Sequence, residues 1–289
     1  MKKMVVLIVL TAVILSLIVW FLIPYSPLRS AFEKDIKELE STCDLYGDGD
    51  VFTSDDIKDL PAPVRNYLES CGYIGKRKMD FVKMEYRDVA FSQGRQGPEL
   101  TIDYTQYDIA AVPCRMALIE SSMFGIPFQG YDSYRDGKGG MKGVIAKLIT
   151  LFDQKGKEMD RACLATYLAE SMFIPTALLQ DCMEFDEIDD FHVKASISAY
   201  GDKVSGIFTF NEDHEMVSFT TEDRAVVASD GTTEYVPWEA RCGDYKTSPD
   251  GIRIPGTFQA VWNYPDGDFI YFDGKISSIT YDKLQEEKA

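Results

Sequence analysis

Phe191-His192-Val193-Lys194-Ala195-Ser196-Ile197-Ser198-Ala199 alternates apolar and polar residues with little interruption. In an extended chain successive side chains point to opposite faces. Phe191, Val193, Ala195, Ile197 and Ala199 therefore make one apolar face, and His192, Lys194, Ser196 and Ser198 a polar one. A strand with one wet face belongs to an antiparallel sheet, because a parallel sheet is sheathed by helices on both sides. The same rhythm extends in both directions. Residues 207–210 and 216–219 flank the hairpin turn Asn211-Glu212-Asp213-His214, and Val82, Met84, Tyr86, then Leu100, Ile102, Tyr104, then Val112, Cys114, Met116, Leu118 alternate earlier. Residues 126–134, 238–245, 252–262, 269–272 and 276–281 complete about eleven strands.

One helix interrupts them. Over residues 158–172, Met159, Cys163 and Tyr167 fall on one line and Leu164 with Leu168 on the next, widened by Ala162, Ala165 and Ala169. So broad an apolar surface marks a buried helix, and Pro175 stops it. Many strands and one central helix give the α+β class, built on a large antiparallel sheet. The run Asp136-Gly137-Lys138-Gly139-Gly140-Met141-Lys142-Gly143 lacks the spacing of a phosphate-binding loop and predicts a flexible hairpin or bulge.

The N-terminus gives an address. Residues 4–23 are twenty in number and carry no charge, enough to cross a hydrocarbon core of about 30 Å. No small-x-small cleavage site follows, so an uncleaved transmembrane anchor over residues 1–27 is expected. Lys2 and Lys3 precede the run and Arg29 alone follows it closely, which places the N-terminus in the cytoplasm and the remainder on the extracytoplasmic side. Phe32, Ile36 and Leu39 at helical spacing predict a short stalk helix, so residues 28–52 divide off as stalk and acidic linker and residues 53–289 as the α+β domain.

With 30 Lys+Arg against 47 Asp+Glu among 289 residues the net charge is -17, a surface that repels nucleic acid and anionic headgroups. Six cysteines (Cys43, Cys71, Cys114, Cys163, Cys182, Cys242) are far apart with no C-x-x-C pair, so disulfides are allowed without being predicted. Residues 44–55 resemble a calcium loop, with Asp44, Asp48, Asp50 and Asp55 as the candidate ligands, but Tyr46 and Phe52 stand at ligand positions. The competing reading is a turn followed by Thr53 as N-cap with Asp56 three residues on, opening a helix through Leu68 that Gly72 closes.

No catalytic residue is assigned. His192 and His214 are the only histidines, the first on the polar strand face and the second in a turn, and G-x-S-x-G, S-x-x-K and H-E-x-x-H are all missing. The acidic run Glu184, Asp186, Glu187, Asp189, Asp190 reads as a solvated loop. Arg161, Tyr167 and Glu170 stand out because charge beside a broad apolar helix face must be paired or kept at a rim. No cofactor is implied.

Leu60-Pro61-Ala62-Pro63-Val64-Arg65-Asn66-Tyr67-Leu68, Asp132-Ser133-Tyr134-Arg135-Asp136-Gly137-Lys138-Gly139-Gly140-Met141, and the helix words Glu158-Met159-Asp160, Tyr167-Leu168-Ala169-Glu170 and Pro175-Thr176-Ala177-Leu178-Leu179 resemble a family of uncharacterised, often membrane-attached bacterial proteins. The chain departs from that pattern at Phe173, where the family has tryptophan. The strand order, with Asp250-Gly251-Ile252-Arg253-Ile254-Pro255 followed by Trp262 and Tyr271, is also similar to the lipoprotein-carrier (LolA-like) fold. That likeness implies a half-barrel curled over the central helix, with an apolar hollow between them suited to acyl chains or a lipidated partner.

These readings define a membrane-anchored extracytoplasmic module whose ligand is a lipid or other apolar molecule, with Tyr167, Glu170 and Arg161 near the mouth and Trp262 on the sheet. Two alternatives stand beside it: a cell-surface enzyme of unrecognised type using carboxylates such as Asp160 and Glu170 with Arg161, and a structural or interaction domain with a calcium-ordered stalk. A perturbed carboxylate in a concave pocket favours the enzyme; a solidly filled concave face favours the interaction domain.

Overall fold

The computed structural model describes residues 2–40, 46–47, 49–92, 94–123, 125–227 and 232–281. The uncharged run forms α1 (Lys2–Leu22), none of whose residues is buried. It is long and apolar enough to cross a membrane. A bend leads into α2 (Pro27–Glu40), where Ser26 Oγ accepts from the Arg29 amide at 3.1 Å. The helix does not stand clear as a stalk. Phe32, Ile36 and Leu39 are buried against the sheet, the Phe32 ring 5.8 Å from those of both Tyr107 and Tyr131. Tyr131 Oη donates to Asp35 at 2.8 Å, and Arg29 pairs with Glu120.

Thr53 caps α3 (Ser54–Ile57) in the expected box: its hydroxyl accepts from Asp56 N at 3.3 Å, and Asp56 Oδ2 accepts from Thr53 N at 2.7 Å. The single helix expected through Leu68 is broken, because Leu60 precedes a proline and Pro61 has no N–H. A new helix, α4 (Ala62–Ser70), starts after it.

β1 (Phe81–Ser92), β2 (Glu99–Ile109), β3 (Cys114–Met123), β4 (Ile126–Arg135), β5 (Lys138–Ile145) and β6 (Ile149–Lys155) form an antiparallel meander. Then comes α5 (Lys157–Glu170), continued by short 3-10 turns through Leu179. A second meander follows with β7 (Met183–Asp189), β8 (His192–Ala199), β9 (Asp202–Phe210) and β10 (Met216–Thr221). A small ribbon of β11 (Ala225–Val227) and β12 (Thr233–Tyr235) leads to β13 (Trp238–Gly243), and a second ribbon, β14 (Lys246–Thr247) with β15 (Arg253–Ile254), leads to β16 (Thr257–Tyr264) and β17 (Gly267–Tyr281). The last strand pairs with β1 and joins the two meanders into one thirteen-stranded sheet, β6-β5-β4-β3-β2-β1-β17-β16-β13-β10-β9-β8-β7.

The edges β6 and β7 do not pair, so the sheet is an open half-barrel, with α5 in its hollow touching β4, β5 and β6 on one arm and β8 and β9 on the other. Two glycines of the cluster allow this closeness. Asp136-Gly137 turns the β4–β5 hairpin at positive φ, and a Cβ on Gly137 would lie 2.5 Å from that of Tyr200 in the opposite arm's hairpin. Gly139 lies under α5, where a Cβ would meet the Met159 carbonyl oxygen at 2.5 Å. The cluster is thus a packing surface as well as a hairpin.

Three local expectations are corrected. The acidic run is strand β7 with most of its side chains exposed, because an edge strand tolerates charge that a central one would not. Residues 269–272 and 276–281 merge into the fifteen-residue β17, whereas the stretch 252–262 divides between β15 and β16. The five cysteines among the described residues are free thiols.

Candidate functional site

Between α5 and the concave sheet lie two adjoining cavities. The outer, about 310 Å³, is walled by Met159 and Ala162 of α5, Phe152 and Gln154 of β6, and Trp262, Phe269 and Tyr271 of β16 and β17. The inner, about 110 Å³, is lined by Tyr86, Ile119, Phe258 and Phe272 and by a polar floor. Phe91, Met141, Arg224 and Tyr271 line both and form the partition.

The floor is built by strand alternation. Tyr104 and Gln106 line it from β2, with Asp108 on the same face just beyond the cavity, Arg115 of β3 lies directly across from Asp108, and Glu170 reaches in from the last turn of α5. Arg115 Nε donates to Glu170 at 2.9 Å, Nη1 to Asp132 at 2.6 Å, and Nη2 to Tyr104 Oη at 2.9 Å. Gln106 Nε2 donates to Glu170 at 2.7 Å and to Asp108 at 2.9 Å. One guanidinium thus faces three carboxylates, those of Asp108 and Glu170 buried and that of Asp132 half-buried. Burial, followed by the charge of Glu170, holds the Asp108 carboxyl well above the usual carboxylate range. Glu170 is also raised by burial, against the pull of Arg115. Of the two, Glu170 makes the direct ion pair with Arg115, and burial favours the neutral form of Asp108, which Arg115 does not bond.

The partition is aromatic and cationic. The Arg224 guanidinium lies 4.6 Å from the Trp238 ring centre, 5.1 Å from Trp262 and 5.8 Å from Tyr271. Its Nη1 donates to Tyr271 Oη at 2.9 Å, which also accepts from Trp238 Nε1 at 3.1 Å. Arg224 Nε is buried and makes no hydrogen bond, and no carboxylate of the described residues forms an ion pair with Arg224.

The residues singled out in the sequence are dispersed. Glu170 lines the inner cavity and Trp262 the outer. Tyr167, expected at the mouth, is fully buried elsewhere and donates to the Ile109 carbonyl at 2.6 Å, because its position turns it toward the ends of β2 and away from the cleft. Arg161 lines neither cavity; it pairs with Asp223 at 2.9 Å on the outer side of α5. Asp160 accepts from the Gly139 amide at 2.8 Å, fixing the helix to β5. Of the calcium candidates, Asp44 and Asp48 lie outside the described residues, Asp50 accepts from Gly47 N at 2.9 Å, and Asp55 is exposed on α3 beside Lys58. Among the described residues no cluster of His, Cys, Asp and Glu is arranged to hold a metal. Sequence reasoning missed Gln106, Asp108, Arg115 and Arg224. A signal existed for the first two: the alternation through Ile102 and Tyr104 puts both on the apolar face. Cys163, beneath Gly139, is buried, which pushes its thiol up to about 12.

Fold and cleft together define an open antiparallel half-barrel closed over a single helix, with an apolar cavity between the two. The chain belongs to the family of unknown function DUF6544, which it matches over residues 50–274. No curated protein matches it. Among solved structures it is similar to a domain named for outer membrane lipoprotein sorting from Vibrio parahaemolyticus, at 8% identity and a TM-score of 0.42 over 78% of this chain and 94% of that one. It is also similar to a DUF1329 family protein from Desulfovibrio piger, at 10% identity and a TM-score of 0.42 over 76% of this chain and 92% of that one. Likenesses at this level are likenesses of outline, and they say nothing about ligands.

Proposed function

We propose that this protein is a membrane-anchored, extracytoplasmic binding module whose cleft takes an apolar ligand carrying a hydrogen-bond-accepting head. The observation that carries the reading is the pair of adjoining cavities, apolar-walled and of ligand size. An acyl chain lies along Phe152, Met159 and Phe269, and its head meets Arg224, the one cation of the partition without a carboxylate. The unbonded Nε of Arg224 offers a donor that such a head would satisfy. α1 holds the module to the membrane with Lys2 and Lys3 on the cytoplasmic side, and a lipid or lipidated protein is its partner.

Native mass spectrometry of the full chain released from membranes, with organic extraction of co-purifying molecules, tests this. Adducts of acyl-chain mass that disappear in Ala162→Phe, which fills the outer cavity, are the expected result. A bare protein mass that persists after incubation with membrane lipids refutes it.

One observation favours a second reading, an enzyme: Glu170 is a carboxylate with a raised pKa lining a cavity. Against it, Arg115 and Gln106 already hold the Glu170 carboxylate. Turnover of an extracted ligand that is lost in Glu170→Gln at unchanged binding would establish the enzyme instead.

A further inference from the structure

The end of α1 is fastened to the domain at one hairpin. Lys147, in the turn between β5 and β6, donates from Nζ to the carbonyls of Trp20 at 2.9 Å and Ile23 at 2.5 Å, and Trp20 Nε1 donates back to the Ala146 carbonyl at 3.2 Å. The ammonium also lies 5.7 Å from the Trp20 ring centre. These carbonyls belong to the last turn, where a helix has no internal donors left and where its dipole favours a cation. The turn itself is held in shape: Ala146 N donates to the Pro127 carbonyl at 2.8 Å, and Ala146 and Lys147 both take positive φ.

This fastening sets a level. Residues 20–23 end the uncharged run, so on the reading of α1 as a membrane anchor they lie where hydrocarbon meets headgroups, the depth that tryptophan prefers. Beside them the hairpin turns large apolar side chains outward: Leu148 is 66% exposed, Ile149 60% and Leu151 49%. Away from α1, no other stretch of the described residues exposes three such side chains within four positions.

We infer that the β5–β6 hairpin is a second membrane contact, with Leu148, Ile149 and Leu151 seated in the headgroup boundary of the leaflet from which the domain emerges. The partner is the lipid bilayer itself, and the contact is apolar, as a chain of net charge -17 requires. The inference rests on α1 being the anchor. It also ties the membrane to the cleft, because β6 runs from Ile149 and Leu151 at the contact to Phe152 and Gln154 in the wall of the outer cavity.

The test uses the full chain in phosphatidylcholine vesicles, spin-labelled at Leu148→Cys, at Ile14→Cys in mid-span, and at Ile207→Cys on β9, each in a Cys43→Ser, Cys182→Ser background. Collision of the label with oxygen, which enters the bilayer, is compared with that of a water-soluble nickel chelate. We expect the oxygen-to-nickel ratio at Leu148→Cys to exceed that at Ile207→Cys several-fold, and Ile14→Cys to exceed both. Equal ratios at Leu148→Cys and Ile207→Cys, with Ile14→Cys deep, overturn the hairpin contact and leave the anchor standing. A water-exposed Ile14→Cys overturns the anchor, and the contact with it.

Discussion

The proton on Asp108 should appear in the pH dependence of stability. In the folded chain, burial and the facing Glu170 raise its pKa, whereas in the unfolded chain it titrates near about 3.9. A group raised on folding binds its proton more tightly in the native state. Its contribution is complete below the unfolded pKa and is lost as pH rises toward the folded one. One proton is worth about 1.4 kcal/mol per pH unit over that window. Asp108→Asn removes the titration while keeping an oxygen to accept from Gln106 Nε2. From pH 5 upward the variant should therefore gain stability relative to the unaltered chain, at no more than about 1.4 kcal/mol per pH unit, until the pH passes the folded pKa of Asp108. Below about pH 4 the two should converge toward a constant difference. Glu170 titrates in both proteins, but its charge and that of Asp108 act on each other, so the difference reports the response of the pair to losing one carboxyl. The assay is urea unfolding of the full chain in neutral detergent at pH 5, 6 and 7, followed by fluorescence of Trp238 and Trp262. A stability difference that does not change with pH would show that Asp108 is ionised in the fold, and would refute the assignment of the proton.

Further consequences concern the floor, the helix contact and the cleft. Arg115→Met leaves the buried Glu170 and the half-buried Asp132 without their cation and should destabilise the fold by about 3–5 kcal/mol, read as a lower urea midpoint. Gly139→Ala forces a methyl against the Met159 carbonyl and Cys163 Sγ, so α5 must shift at a cost of about 1–3 kcal/mol, measured as a fall in Tm. Affinity for straight-chain carboxylic acids should rise about fourfold per added methylene, at about 0.8 kcal/mol each, and level off when the outer cavity is full. Arg224→Leu should remove the preference for an acid over the alcohol of the same length while leaving the dependence on chain length intact; an unchanged preference would put the head elsewhere.

Much of the architecture is legible residue by residue because its causes are local. The alternation from Phe191 to Ala199 is a property of neighbouring residues, and β8 follows it with Val193, Ala195 and Ile197 buried, while Phe191 before the strand is exposed and Ser196 is buried. The box at Thr53 and Asp56 spans three residues and forms as expected. Where the reading failed, a local signal met a distant one. Phe32, Ile36 and Leu39 have the spacing of an amphipathic helix, but only the convex side of β2 to β4 shows what that stripe covers. Arg115 lies on the other face of β3 from the residues that α2 covers, and it is buried from the concave side, where Glu170 at the end of α5 meets it. The acidic strand β7 was hidden for the opposite reason, since its charges suit an edge and nothing in the sequence says which strands are edges.

By itself the sequence determined the class, a large antiparallel sheet with one buried helix, and an N-terminal helix apolar enough to span a membrane. Both follow from hydrophobic periodicity, which is written within a dozen residues. Tertiary structure alone decided the site. Gln106, Arg115, Asp132 and Glu170 meet only because three strands and the end of α5 converge, and Arg224 reaches Trp238, Trp262 and Tyr271 only when the second meander returns to pair its last strand with β1. Pairing register and the curl of the sheet act over the whole chain, and no short stretch encodes them.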